Sequence, residues 1–239
     1  KAGGLNVGVL GRLTVYNGGK VSVGLACTNL GQIAVSNGGS SAAFAGRFFN
    51  GAGGTFRAVS SPVTFSNGAT LAQGSAFLAP TATIEVVYGS FEAQITNAAA
   101  YNANSMNLRF TGSGSHTMQV AGISFGQTLA GYSNSFALGR LYLASASRVN
   151  VAGAPGVASP ALYVTWLDLD GSVGRVTNLS SAINIYYRAD LASNAYLGSQ
   201  TFSLAGGGQL LPVPVGSAQA AAPTYAPNGG TYTNSVIVT

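Results

Sequence analysis

The sequence predicts an all-β protein, an Ig-like or jelly-roll β-sandwich with an N-terminal extension strand. Three observations support this class. Short apolar or alternating runs fill the chain, turn residues such as Asn-Gly separate them at intervals of roughly 8–15 residues, and stretches with helical periodicity are almost absent. A dozen short strands punctuated in this way are typical of sandwiches and barrels. The Asn-Gly pairs predict β-hairpins at 13–23, 32–46 and 63–72. Further strands are predicted at 81–89, 107–112, 116–125, 137–145, 161–169, 182–190, 200–205, 209–216 and 231–239.

The opening segment, residues 5–15, stands apart from these strand regions. Its odd positions are apolar with one glycine between them, and its even positions are mostly polar or small, which is the period of a strand with one buried face. We predict that residues 1–15 form an extension and that residues 16–239 form a single β-sandwich domain. The apolar face of the extension consists of Leu5, Val7, Val9, Gly11, Leu13 and Val15.

Asn-Gly-Gly punctuation leaves a second fold open. The triplet occurs at 17–19, 37–39 and 228–230, and such repeats also occur in parallel β-helices. A solenoid needs a regular period. The pairs Asn50-Gly51 and Asn67-Gly68 do not continue the first interval, so the sandwich is preferred.

Composition limits the function classes. Only 6% of the 239 residues are charged, 47% are hydrophobic, and the formal net charge is +5. The arginines are spread singly rather than clustered with aromatic residues, so nucleic-acid binding is not expected. There is no apolar run long enough for a membrane span. A surface of uncharged polar residues favours an extracellular location, with an export signal already removed.

Catalytic and metal-binding patterns are weak. His116 is the only histidine, so any hydrolytic triad would need it as the base. The aspartates of the segment 168–171 (DLDG) lack the further oxygen ligands of a calcium loop, and a turn is favoured. We predict a protein that is not an enzyme and has no cofactor and no metal site. The single Cys27 is expected to be a buried apolar residue, and the sequon at 178–180 allows a surface glycan at Asn178.

The end of the chain carries a family resemblance. The segment APNGGTYTNSVIVT (226–239) alternates in the manner of a strand and follows the extended segment LLPVPVGSAQAAAPTYAP (210–227). These residues resemble the close of secreted pilin-type sandwiches, namely spore coat protein U-like domains and archaic chaperone–usher pilins. The composition is similar to that of archaeal jelly-roll surface filaments. Unlike those pilins, which usually carry a disulfide, this longer chain has one cysteine.

The resemblance implies donor-strand exchange, in which one subunit's N-terminal strand fills an apolar groove of the next. The leading expectation is therefore a structural subunit of an extracellular filament or pilus, polymerising head to tail with copies of itself through residues 5–15. A strand paired within its own chain is the competing interpretation of that segment.

Other function classes stay open. The alternatives are a secreted adhesin or carbohydrate-binding module, a viral capsid or spike jelly roll, and a secreted hydrolase with an acidic pair in a cleft. A binding module should show exposed aromatic residues on one face, for which the candidates are Tyr101, Tyr132, Tyr186, Tyr187 and Tyr225.

Overall fold

The structure, a computed structural model, describes residues 4–214. Short strands dominate this part of the chain. In chain order they are β1 Leu5–Val7, β2 Arg12–Val15, β3 Lys20–Val23, β4 Cys27–Asn29, β5 Gln32–Ser36, β6 Ser41–Phe44, β7 Phe48–Asn50, β8 Thr55–Val59, β9 Pro62–Phe65, β10 Ala69–Leu71, β11 Ala76–Leu78, β12 Thr83–Val86, β13 Phe91–Ala93, β14 Tyr101–Asn102, β15 Asn107–Phe110, β16 Gly114–Val120, β17 Leu138–Leu143, β18 Ser147–Gly153, β19 Ala161–Asp168, β20 Leu179–Ser181, β21 Asn184–Arg188, β22 Phe202–Ser203 and β23 Gln209–Val213. Four 3-10 helices span Ala98–Ala100, Leu129–Tyr132, Val173–Asn178 and Ala192–Leu197.

These strands form a parallel β-solenoid of about nine turns, so the predicted Ig-like or jelly-roll sandwich is wrong. Sheet 1 has the order β1-β4-β7-β10-β13-β16-β18-β20, sheet 2 has β14-β11-β8-β5-β2, and sheet 3 has β22-β23-β21-β19-β17-β15-β12-β9-β6-β3. Each early coil of the chain contributes one strand to each sheet in turn. Among the strand pairs of the described residues, only β22–β23 is antiparallel.

The turn at Asn17-Gly18 is correctly predicted, but it does not form the predicted β-hairpin. Asn17 and Gly18 both have positive φ, as a tight hairpin turn requires. The strands on either side, β2 and β3, lie in different sheets and pair with the next coil instead of with each other. The turn is therefore a corner of the solenoid.

Early coils are regular. The first residues of β1, β4, β7, β10 and β13 pair in register, and they are separated by 22, 21, 21 and 22 residues. We number the coils from the strand that each gives to sheet 1. In coils 6 and 7 the segments 121–137 and 154–160 lead from sheet 1 directly to sheet 3 without a sheet 2 strand, so sheet 2 ends at β14 in coil 5.

Inward side chains stack from coil to coil and fill the interior. Phe56 and Phe77 lie in register on β8 and β11, and their rings stack with centroids 5.5 Å apart. Tyr101 continues the stack 5.7 Å beyond Phe77, and Phe136 follows 5.2 Å beyond Tyr101. Each ring thus covers its neighbours in the adjacent coils and contributes to one continuous apolar core.

Buried asparagines extend this stacking to a corner. The Asn29 side chain donates to Asn50 Oδ1 at 2.7 Å, and the Asn50 side chain donates to the backbone oxygen of Ala76 at 2.8 Å. Both residues are fully buried. Because each amide satisfies backbone or side-chain groups of the following coil, the pair ties coils 2, 3 and 4 together.

The two ends of the described solenoid differ. At the C-terminal end, β22 turns back antiparallel to β23, and Ala205 forms a bridge with Ser180 of β20. Asn194, in the helix Ala192–Leu197, accepts from the backbone NH of Leu167 at 3.1 Å and so occupies the place of a further strand. At the first coil, the outer edges of β1, β2 and β3 have no strand partner among the described residues.

Candidate functional site

The predicted donor-strand residues lie in the first coil and not on one continuous strand. Leu5 and Val7 belong to β1, Leu13 and Val15 belong to β2, and the four side chains pack against the solenoid core. β1 pairs with β4 and β2 pairs with β5, all within the same chain.

The corner between these strands holds the other two predicted residues. Val9 is 75% exposed at the corner. Gly11 donates its backbone NH to the oxygen of Gly8 at 2.7 Å, which closes the turn. The apolar alternation is thus interrupted at residues 8–11. A role for these residues in contacts between copies stays a prediction.

The predicted cluster of exposed tyrosines does not form. Tyr101, Tyr186 and Tyr187 are buried, Tyr132 is half-buried, and Tyr225 lies outside the described residues. Tyr163 and Tyr186 stack at 4.6 Å on the outer face of sheet 3, beneath the segment 121–137. These tyrosines therefore hold a loop in place and do not form a free aromatic surface.

In three consecutive coils an irregular segment follows the sheet 1 strand. Segment 94–100 follows β13 and leads to sheet 2, whereas 121–137 after β16 and 154–160 after β18 lead directly to sheet 3. These three segments meet around a pocket of about 510 Å³. Its lining is mostly apolar and consists of Thr96, Ala98, Ala121, Ile123, Phe125, Asn134, Phe136, Gly156, Val157 and Ala158.

Hydrogen bonds fix the longest of these segments. The Tyr163 hydroxyl accepts from the backbone NH of Phe125 and donates to the oxygen of Gly126, both at 2.7 Å. Gln127 donates through its side chain to the oxygen of Pro212 at 2.7 Å. Burial raises the pKa of Tyr163, so the phenol keeps the proton that it donates.

Close packing holds the same segment against the sheet. A Cβ on Gly131 would lie 2.0 Å from the Tyr163 ring, so only a glycine allows this approach. Ile123 bridges to Pro160 of the next coil, and the backbone NH of Ser124 donates to Ser159 at 3.0 Å. The pocket walls are therefore preformed.

Two large apolar side chains at the pocket remain open to solvent. Ile123 is 47% exposed and Phe125 is 42% exposed, although the loop that carries them is well fixed. A preformed, mainly apolar concavity of this volume is the usual form of a small-ligand site. Sequence reasoning missed it because residues 96, 123 and 157 come together only through the stacking of the coils.

The groups considered for catalysis or metal binding have structural partners. Both ring nitrogens of buried His116 face backbone oxygens, with Nδ1 3.0 Å from Gly89 O and Nε2 3.2 Å from Gly112 O. Asp168 pairs with Arg140, and Asp170 pairs with Arg175. Within residues 4–214, no group of three histidine, cysteine or acidic side chains could hold a metal ion.

The remaining positions singled out in the sequence are Cys27, which lies in the core, and Asn178, which lies at the surface. Cys27 is buried, as predicted, and burial raises its pKa to about 11, which keeps the thiol protonated. Asn178 ends a 3-10 helix at the surface, where its amide lies 3.4 Å from the oxygen of Ser145. None of the helices in residues 4–214 has the length and apolar character needed to cross a membrane.

Comparison with known proteins does not identify a relative: no family model, curated protein or solved structure matches this chain. The class of the molecule follows from its own architecture, a parallel β-solenoid with a preformed apolar pocket on its side.

Proposed function

We propose that this chain is an extracellular, non-enzymatic binding scaffold of the adhesin type. One observation carries the proposal: the segments 94–100, 121–137 and 154–160, which follow the sheet 1 strands of coils 5, 6 and 7, converge on one preformed pocket. In repeat proteins, an insertion such as 121–137 commonly lies on the face that binds the ligand. The regular coils would then serve as the support that holds the pocket rigid.

The chemistry of the pocket favours an apolar ligand of small-molecule size. The polar side chain of Asn134 is already used, because it donates to Gly131 at 2.5 Å and accepts from the backbone NH of Phe136 at 2.9 Å. Ile123, Phe125 and Val157 supply apolar surface. The proposed occupant is an aromatic or aliphatic group that displaces water from these side chains.

An aromatic probe tests this proposal. We expect 8-anilinonaphthalene-1-sulfonate to bind the folded chain at one saturable site with enhanced fluorescence. Phe125→Ser should weaken that binding about tenfold, because a buried phenyl contact is worth about 1.5 kcal/mol or more. The measurement is a fluorescence titration.

Leu129→Ser is the matched control for Phe125→Ser. Leu129 lies on the same segment and is also 42% exposed, but it does not line the pocket. Leu129→Ser should therefore leave the affinity for the aromatic probe unchanged. Equal losses in both variants, or no saturable binding by the native chain, would refute the pocket as a ligand site.

A second candidate function is self-association through the first coil. Leu5, Leu13 and Val21 are half-buried, whereas their register partners Cys27, Ile33 and Ala42 are buried. A second copy could cover these side chains and pair with the outer edges of β1, β2 and β3, which have no strand partner in the described part of the chain, and would then bury the same positions. The C-terminal end of the described solenoid is closed by β22, so the proposed dimer joins two first coils around a two-fold axis.

Sedimentation velocity tests the self-association. We expect the native chain to form a dimer with rising concentration, and Leu13→Asp to abolish it by placing a charge on the apolar end. Thr14→Asp adds the same charge to the exposed face of β2 and should leave the dimer intact. A native chain that stays monomeric at high concentration contradicts this proposal, and a ladder of larger species would favour the head-to-tail filament instead.

A further inference from the structure

Charged and aromatic residues gather on the outer face of sheet 3. The register places Glu85, Arg109, Tyr142 and Asp168 in one column across coils 4–7. Arg140 and Trp166 form a second column beside them, again in register. We call these six residues the outer strip. It includes four of the fifteen charged residues of the chain and its only tryptophan, so it differs in composition from the rest of the surface.

Stacking holds the cations of the outer strip in fixed positions. The Arg109 Cζ atom lies 4.7 Å from the centroid of the Tyr142 ring, and the Arg140 Cζ atom lies 3.7 Å from that of Trp166. Arg140 also donates through Nε to Asp168 at 3.0 Å. A guanidinium fixed by an aromatic ring loses little conformational entropy when it forms a new hydrogen bond.

Several polar atoms of the outer strip have no partner among the residues that the structure describes. Arg109 forms no hydrogen bond or ion pair within residues 4–214. Glu85 accepts a single bond, from the Thr64 hydroxyl at 3.3 Å on Oε2, which leaves Oε1 open. Both side chains are half-buried, and they lie on adjacent coils about 4.8 Å apart along the solenoid. Arg109 therefore offers donors, and Glu85 an acceptor, on neighbouring coils of the strip.

We propose that the outer strip binds a neutral sugar chain. Two arginines and two carboxylates give the strip no net charge, so it offers a polyanion such as nucleic acid no electrostatic advantage. A neutral sugar presents hydroxyls that need both donors and acceptors, which Arg109 and Glu85 supply from neighbouring coils. The strip is separate from the apolar pocket and does not depend on it.

Affinity electrophoresis provides the test. The native chain is run in gels that contain a neutral polysaccharide (dextran, laminarin or xyloglucan) and in gels that contain a polyanion (heparin or alginate). We expect at least one neutral polysaccharide to retard the chain, and Arg109→Ala to weaken that retardation by about tenfold or more, which is the usual effect of losing a charge-assisted hydrogen bond.

Two control variants show whether the retardation arises at the outer strip. Arg57→Ala removes the same charge from the exposed face of β8 in sheet 2 and should leave the retardation unchanged. Phe125→Ser alters the apolar pocket and should also have no effect, so the two proposals can fail independently. No retardation by any neutral polysaccharide, retardation by heparin or alginate alone, or an equal loss in Arg57→Ala would overturn the proposal.

Discussion

Phe77→Ala is expected to lower the free energy of unfolding by about 3–5 kcal/mol, the usual cost of removing a buried phenyl ring. Phe77 is fully buried at the middle of the interior stack. Its ring contacts Phe56 and Tyr101 along the axis, and Phe91 lies edge-on at 5.8 Å. The cavity would therefore lie between three coils, where the backbone ladders on either side prevent collapse. The midpoint of urea unfolding, followed by circular dichroism, measures the effect.

Phe49→Ala is the matched control for this prediction. Phe49 lies on the outer face of sheet 1 and is 39% exposed. The same truncation at that position leaves no internal cavity, so a loss below about 1 kcal/mol is expected. Similar midpoints for the two variants would contradict the view that the inward aromatic stack stabilises the solenoid.

Gly112→Ala is expected to destabilise the chain by about 3 kcal/mol or more, although it adds only one methyl group. A Cβ at Gly112 would lie 1.6 Å from the backbone oxygen of Val87 in the preceding coil. The obstacle is backbone, so no side-chain rotation can relieve the clash. The corner between β15 and β16 would have to move away, which also disturbs the contacts of Gly112 O with His116 and Ser147.

Gly38→Ala tests whether any methyl group at a corner has this effect. A Cβ at Gly38 would have no neighbour within 4 Å, and its φ does not lie in the left-handed region. The free energy of unfolding of Gly38→Ala should be unchanged or higher by about 0.4–1 kcal/mol, because alanine restricts the conformations of the unfolded chain. The midpoints of urea unfolding of the two variants give the comparison. A Gly112→Ala midpoint equal to that of the native chain would contradict the prediction, because the coils could then separate at this corner without loss of stability.

Strand content could be predicted from the sequence, but strand pairing could not. A period of two indicates one buried face and leaves open which strand lies alongside. Residues 13–23 satisfy every local requirement of a hairpin, including positive φ at Asn17 and Gly18. The same backbone geometry turns a chain from one sheet into the next, so local rules cannot separate a hairpin from a solenoid corner.

The period of the solenoid is carried by the buried residues and not by the turns. Asn29 and Asn50, Phe44 and Phe65, and Phe56 and Phe77 are each 21 residues apart and stack in register. The Asn-Gly pairs at 50 and 67 obscured this period, because they occupy different corners from the pairs at 17 and 37.

The candidate sites were harder to foresee. The members of the outer strip at 85, 109, 142 and 168 follow no constant interval, because corner segments of different length separate their strands. Arg109 and Tyr142 become neighbours only after the segment 121–137 has been accommodated on the outside of the solenoid. A sequence period cannot reveal a column whose period changes at each step.

The direction of the hydrogen bonds has a mechanical consequence. In a parallel solenoid the bonds between coils run along the long axis, so tension applied to the two ends loads one layer after another. Within residues 4–214 the first coil has one strand neighbour per sheet, whereas β22, Ala205 and the helix Ala192–Leu197 brace the far end. Extension under load would begin at the first coil and proceed one layer at a time. Each early coil of 21 or 22 residues would release about 70–80 Å of chain. The solenoid would therefore lengthen in steps of one coil instead of unfolding all at once.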